Sequence, residues 1–288
     1  MSRESPLLKI LVILEMIRFE HTLFALPFAY VGAFLAAGGW PGLRPAGWIL
    51  VAMVGARSAA MAFNRLVDLP FDRDNPRTAG RALPRGKLSR GFTVGFVVVS
   101  CGLFFVACAE LNRLALLLSP VALLIVLGYS FTKRFTWLSH FFLGLALAVA
   151  PAGGWVAVRG TLDAPILLIS LVVVLWTAGF DIVYACQDLD FDRRTGLHSA
   201  PARWGIAVAL RWAAAAHAAA AVVLAAAFWV FDLHWVSWLG WFLICGALAY
   251  EHLIVSPHDL RRLNTAFFTV NSVISTVLLI TVGLDLYV

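Results

Sequence analysis

The chain reads as an all-α integral membrane protein with about nine transmembrane helices. Hydrophobic residues fill 61% of the 288 positions and charged ones only 13%, with a mean hydropathy of +0.88, too apolar for a soluble domain. The apolar residues fall into runs of bilayer length, punctuated at Gly38-Gly39-Trp40-Pro41, Asn75-Pro76, Gly160 and Ser256-Pro257. The net charge of +6 sits in short loops and forms no continuous basic face, which membrane topology explains and nucleic-acid binding does not.

In chain order the spans are expected at about 19–38, 46–66, 91–109, 112–131, 137–158, 164–186, 203–229, 234–255 and 263–284, as one domain over 1–288. The amino terminus lacks a small-residue cleavage site, so no removable signal peptide is expected. Spans three and four meet at Glu110-Leu111-Asn112-Arg113 and must form a tight hairpin. Cys101, Cys108, Cys186 and Cys245 form no CxxC pair and read as reduced packing residues, and the seven histidines form no HExxH pair. Trp40, Trp137, Trp235 and Trp238 sit at span ends, as an aromatic belt would. With the amino terminus cytoplasmic, 17 Lys and Arg fall on the cytoplasmic side and 3 on the other, while Arg57 and Arg211 lie within spans. That asymmetry sets the topology, and the inner membrane of the cell is the expected location.

Two polar segments then fall on the same membrane face. Span two runs into RSAAMAFNRLVDLPFDRDNPRTAGRALPRGK, Arg57 to Lys87, where Asn64, Asp68 and Asp72 recur every four residues among Arg65, Arg73, Arg77, Arg81, Arg85 and Lys87. Carboxylates and cations in one small volume suit a magnesium diphosphate, the acids holding a hard cation and the guanidinium groups gripping phosphate oxygens. Pro70 interrupts helical geometry, so Asn64 and Asp68 share a helical face and a turn delivers Asp72; Asp74 is off the rhythm. Span six ends in DIVYACQDLDFDRRTGLHS, where Asp181, Tyr184, Asp188 and Asp192 align on one helical face with Gln187 and Asp190 nearby. A solvated helix end with Arg193 and Arg194 as counterions would explain one such segment more easily than two. Asp181 lies within the membrane part of its span, which requires a polar cavity beside it. The bundle is therefore expected to surround a central cavity opening to the cytoplasmic side. A weak echo of LAAGGW at 35–40 in PAGGW at 151–155 accompanies the recurrence of the two acidic segments.

Among the cations, Arg57 lies two turns before Asn64, facing either an acid or the anionic end of a substrate. Arg18 reads as an interfacial anchor or a substrate contact. Lys133 and Arg134 either steer diphosphate or belong to an ordinary positive-inside loop.

The pattern Asn64-x3-Asp68-x3-Asp72 followed by Arg77-Thr78, with Asp181-x2-Tyr184-Ala185-x2-Asp188-x3-Asp192, resembles the UbiA superfamily of intramembrane polyprenyltransferases. The runs NPRTAGRALPRG and YACQDLDFDRRTGLHS are most similar to its 4-hydroxybenzoate polyprenyltransferase and MqnP-like branch. The resemblance implies transfer of a polyprenyl group from polyprenyl diphosphate to an aromatic quinone precursor of ubiquinone or menaquinone synthesis. It implies Mg2+ held by Asn64, Asp68, Asp72, Asp181, Asp188 and Asp192, with Tyr184 at the reacting centre. Substrate contacts are expected from Asn64, Arg57, Arg65, Arg77, Arg81, Lys133, Arg134, Arg193 and Arg18. The ring proton leaves to Asp181, Tyr184 or diphosphate. The bilayer is the other partner, with no nucleic acid and no obligate protein. The competing readings are another acceptor (tetrapyrrole, homogentisate-type ring or lipid glycerol) and a cation-coupled transporter.

Overall fold

A computed structural model of the chain describes residues 12–13 and 22–288. Among the described residues it is helical, without a strand. The helices are α1 (Thr22–Ala37), α2 (Leu43–Val67), α3 (Leu69–Asp74), α4 (Arg90–Leu111), α5 (Arg113–Gly128), α6 (Ser139–Arg159), α7 (Ile166–Ala185), α8 (Leu189–Thr195), α9 (Ala200–Trp204), α10 (Ile206–Val230), α11 (Trp235–Ile254) and α12 (Asn271–Asp285). Counted with their adjoining short turns, 8 helices are long and apolar enough to cross a membrane, and Ala25–Ala37 of α1 is a shorter apolar ninth. Eight of the nine expected spans are thus matched by helices of crossing length, while the first, expected at about 19–38, is described only from Thr22 and matched by the shorter apolar helix.

Side chains at the helix ends fix the connections. Asn112 makes the α4–α5 hairpin: its side-chain oxygen accepts from Ala115 N at 2.9 Å, and its Nδ2 donates to the carbonyl of Val156 at 2.7 Å. One amide therefore caps α5 and ties the hairpin to the end of α6. At the same end of the bundle the buried Asp285 of α12 accepts from His234 N and Ser237 N, holding the start of α11 with a carboxylate where the helix dipole favours one.

Small residues let the central helices approach closely, as membrane packing requires when lipid is as apolar as the side chains. A Cβ on Gly154 of α6 would overlap the carbonyl of Ala29 on α1, and one on Gly144 would overlap that of Val174 on α7. The core beside these crossings is aromatic, with Phe28, Trp176, Phe180 and Phe228 buried together. This packing fills one side of the bundle and leaves a cavity of about 590 Å³ between α2, α4, α5, α6 and α7.

Candidate active site

The cavity runs from the acidic end of the bundle to Leu111 and Leu162 near the opposite helix ends. Its walls are mainly apolar residues such as Ile49, Met53, Leu118 and Leu147, and its polar groups gather at one end. Asn64, Arg65, Asp68, Asp72, Arg77, Arg81, Lys133, Tyr184, Asp188 and Asp192 line that end, with Arg57 and Asp181 also on the wall.

Pro70 shapes the first acidic segment. Helix α2 stops at Val67, and Asp68 serves both as its C-cap and as the residue before α3, which has Pro70 in its first turn. Asp72 therefore comes from a separate short helix, neither from the continuous face that the spacing suggests nor from a simple turn. The chain then bends at Asn75, whose side-chain oxygen accepts from Arg77 N at 2.9 Å while its Nδ2 donates to Asp188 Oδ1 at 3.2 Å. That turn aims Arg77 across the cavity mouth: its Nε and Nη2 donate to the two oxygens of Asp188 at 2.9 and 2.6 Å. The two segments, 111 residues apart, are joined by a bidentate ion pair. Burial works against the Arg77 charge, yet Asp188, with Tyr184 and Asp72 near it, outweighs burial and raises the guanidinium pKa above its ordinary value.

Each remaining acid at the mouth has a partner. Arg81 Nη1 donates to both Asp72 oxygens at 2.8 Å, Lys133 Nζ and Asn64 Nδ2 donate to Asp68 Oδ2 at 2.8 and 3.2 Å, and Ser199 Oγ donates to Asp192 Oδ2 at 2.7 Å. The pairs face the surface through their cations: Lys133 is 37% and Arg77 34% exposed, against 4% for Asp68 and 17% for Asp188.

Asp181, expected among the metal ligands, has a different kind of partner from the acids at the mouth. It lies two turns deeper than Asp188, and its Oδ2 meets His140 Nδ1 at 2.7 Å. His140 Nε2 accepts from Ala200 N at 3.1 Å, so the imidazole proton sits on Nδ1 and is donated to Asp181. Asp181 thus belongs to an Asp–His pair on the cavity wall, with the His140 ring buried and the carboxylate partly exposed. Arg57 lies on the wall too, its Nε buried without a hydrogen-bond partner among the described residues, and it makes no carboxylate pair there.

Two expected substrate contacts point elsewhere. Arg134 Nη2 donates to the carbonyl of Val67 at 2.6 Å and its guanidinium lies over Phe71, so it closes the exposed end of α2. Arg193 Nε donates to the carbonyl of Ala202 and fastens α8 to α9. Neither lines the cavity, nor do Asp74, Gln187 and Asp190. Arg18 lies outside the described residues. Sequence reasoning missed Asn75, read only as a chain break before Pro76, and His140, whose one signal was a titratable residue inside an apolar run.

Among the described residues no three acids, histidines or cysteines form a preformed metal cluster. The donor set nevertheless fits a hard cation. Asp68 Oδ1 is buried without a hydrogen-bond partner, an unsatisfied anionic oxygen beside oxygen-bearing Asn64 and Asp72.

The model of the UbiA prenyltransferase family matches residues 25–273. A 4-hydroxybenzoate octaprenyltransferase of Photobacterium profundum is 33% identical over 172 residues, a match spanning 60% of this chain and 60% of that protein. A solved UbiA homologue of Aeropyrum pernix K1 is 36% identical with a TM-score of 0.85, covering 92% of this chain and 98% of that one. The UbiA homologue of Archaeoglobus fulgidus solved bound to GPP and Mg2+ shares the fold at 21% identity and a TM-score of 0.72, covering 96% and 100%. With the family model matched over most of its length and two acidic segments meeting at one cavity, the chain belongs to the UbiA prenyltransferase family.

Proposed function

We propose that this chain is a single-domain, magnesium-dependent membrane enzyme that transfers a polyprenyl group from polyprenyl diphosphate to an aromatic quinone precursor. The acceptor is of the 4-hydroxybenzoate or dihydroxynaphthoate type. The observation that carries this reading is the Arg77–Asp188 bridge, which brings both acidic segments to the mouth of one apolar cavity. Asn64, Asp68 and Asp72 on one side and Asp188 and Asp192 on the other would hold Mg2+. The metal supplies positive charge to the departing diphosphate.

The chain's own groups supply the rest. Arg77, Arg81 and Lys133 are donors on flexible stems at a partly exposed mouth, and each can turn from its carboxylate to a phosphate oxygen. Guanidinium and ammonium groups placed where charge develops lower the barrier to diphosphate departure. The apolar walls take the isoprenoid tail and keep water from the allylic cation. Deeper in the cavity, Arg57 offers a desolvated cation to the carboxylate of the acceptor, and Asp181, oriented by His140, is placed to receive the ring proton. The charge asymmetry of the loops supports an inner-membrane protein with its amino terminus and acidic mouth cytoplasmic.

The test incubates membranes containing the chain with Mg2+, a defined polyprenyl diphosphate, and either 4-hydroxybenzoate or a dihydroxynaphthoate, and weighs the product. A product heavier than one acceptor by the prenyl group supports the proposal. No magnesium-dependent product with either ring refutes it.

A further inference from the structure

The segment leading into α12 is a widened π-helical turn, Thr265–Val270, whose Phe267 reaches the cavity wall. Such turns are rare and occur frequently at functional sites. Here the buried Asn271 supports the turn, its Nδ2 donating to the carbonyls of Ala266 at 3.2 Å and Phe267 at 3.0 Å. Its own Oδ1 stays buried without a hydrogen-bond partner. This cost is borne at the residues that set the position of Phe267.

Phe267 meets Tyr184, with ring centroids 4.1 Å apart, and Phe180, edge-on at 5.3 Å. Tyr184 stands one turn inside Asp188 and one turn outside Asp181, between the diphosphate end and the deep part of the cavity. The Arg77 guanidinium already lies over its ring, 5.5 Å from the centroid, so this ring face accepts a cation. An allylic carbon leaving a diphosphate held at Asp188 would enter the apolar cavity at the level of Tyr184, which lines the wall one turn further in.

We propose that Phe267 is a positioning residue that, with Tyr184, forms an aromatic partition between the diphosphate mouth and the reacting carbon. Acting through Tyr184, it decides whether the allylic cation meets the acceptor ring or water. This rests on the prenyl-transfer reading above. Once the bond from C1 to the diphosphate oxygen breaks and the electron pair leaves with diphosphate, two captures compete. A ring carbon forms the new C–C bond and gives its proton to a base, or a water oxygen forms a C–O bond, loses a proton and yields the prenyl alcohol. The aromatic pair favours the first by excluding water and by offering π electrons to the cation.

The experiment measures prenylated product and prenyl alcohol together, in membranes holding the full chain with Mg2+, a polyprenyl diphosphate and the accepted ring. Phe267→Ala is expected to raise the alcohol-to-product ratio about tenfold. Phe267→Tyr should restore the wild-type ratio, and Asn271→Ala, which loosens the turn from behind, should move the ratio in the same direction as Phe267→Ala. A structural role alone would lower both products together. An unchanged ratio in Phe267→Ala overturns the proposal. If that variant does not accumulate or turn over, Phe267→Leu decides: a raised ratio supports the partition, and an unchanged ratio or loss of both products counts against it. If wild-type membranes yield neither product nor magnesium-dependent alcohol, the prenyl-transfer reading itself has failed.

Discussion

The two acidic segments carry the same four-residue rhythm and are built differently. The first is broken at Asp68, divided between α2 and α3, and followed by a turn that sends Arg77 and Arg81 back over the mouth. The second passes with little interruption from α7 through a 3₁₀ turn into α8, and its own arginines, Arg193 and Arg194, turn to the carbonyls of Ala202 and Asp190. The first therefore supplies the mouth with mobile cations as well as acids. The second joins the mouth to the interior, because α7 and the 3₁₀ turn that continues it carry Asp181, Tyr184 and Asp188 at successive depths. A kinked element concentrates charge, whereas a straight one distributes functions along an axis.

Removing what both segments share should have the largest effect. Asp188 meets Arg77 and Asn75, and Asp68 carries the unsatisfied buried oxygen. Asp68→Ala or Asp188→Ala is expected to lower kcat for prenyl transfer by about 1,000-fold or more, with the protein still present in membranes. Near-normal turnover in either would remove the metal assignment. Next comes the contrast in cations. Arg77→Ala should raise KM for the prenyl diphosphate by about 10- to 100-fold, while Arg193→Ala should leave it within about twofold. Equal effects would mean that the second segment also grips phosphate.

The depth of Asp181 gives a third contrast. His140→Ala should lower kcat by about 100-fold, in line with a misplaced proton acceptor, with little change in KM for the donor. A donor KM that rises as it does in Arg77→Ala would return Asp181 to the diphosphate end.

The spans and both acidic segments are legible because apolar run length and four-residue spacing are local properties. What spacing cannot tell is depth and direction. Asp181 follows the rhythm of Asp188 and Asp192, yet α7 sets it two turns further in, where only the fold supplies His140 from α6 as its partner. Arg134 and Arg193 have the right charge on the right face, and their side chains are used by carbonyls at neighbouring helix ends that no sequence period reveals. Phe267 was hidden for the same reason, since its place depends on a π turn and on the α7 rings packed against it.

The smallest expected effect separates closing a helix from binding a substrate at the first segment. Arg134 and Lys133 are adjacent, but Lys133 reaches Asp68 inside the mouth and Arg134 reaches the Val67 carbonyl outside it. The Val67 carbonyl lies at the end of α2, where the break at Asp68 and Pro70 leaves backbone acceptors without an intrahelical donor. Arg134 is exposed, so Arg134→Ala should cost only about 1 kcal/mol of stability, read as a lower melting temperature in detergent, with KM for the donor nearly unchanged. Lys133→Ala should do the reverse, raising that KM by about tenfold with little change in melting. If Arg134→Ala weakened donor binding as much as Lys133→Ala, the break in α2 would have to be read as part of the diphosphate site, and the contrast between a charge-gathering kinked segment and a straight one would narrow.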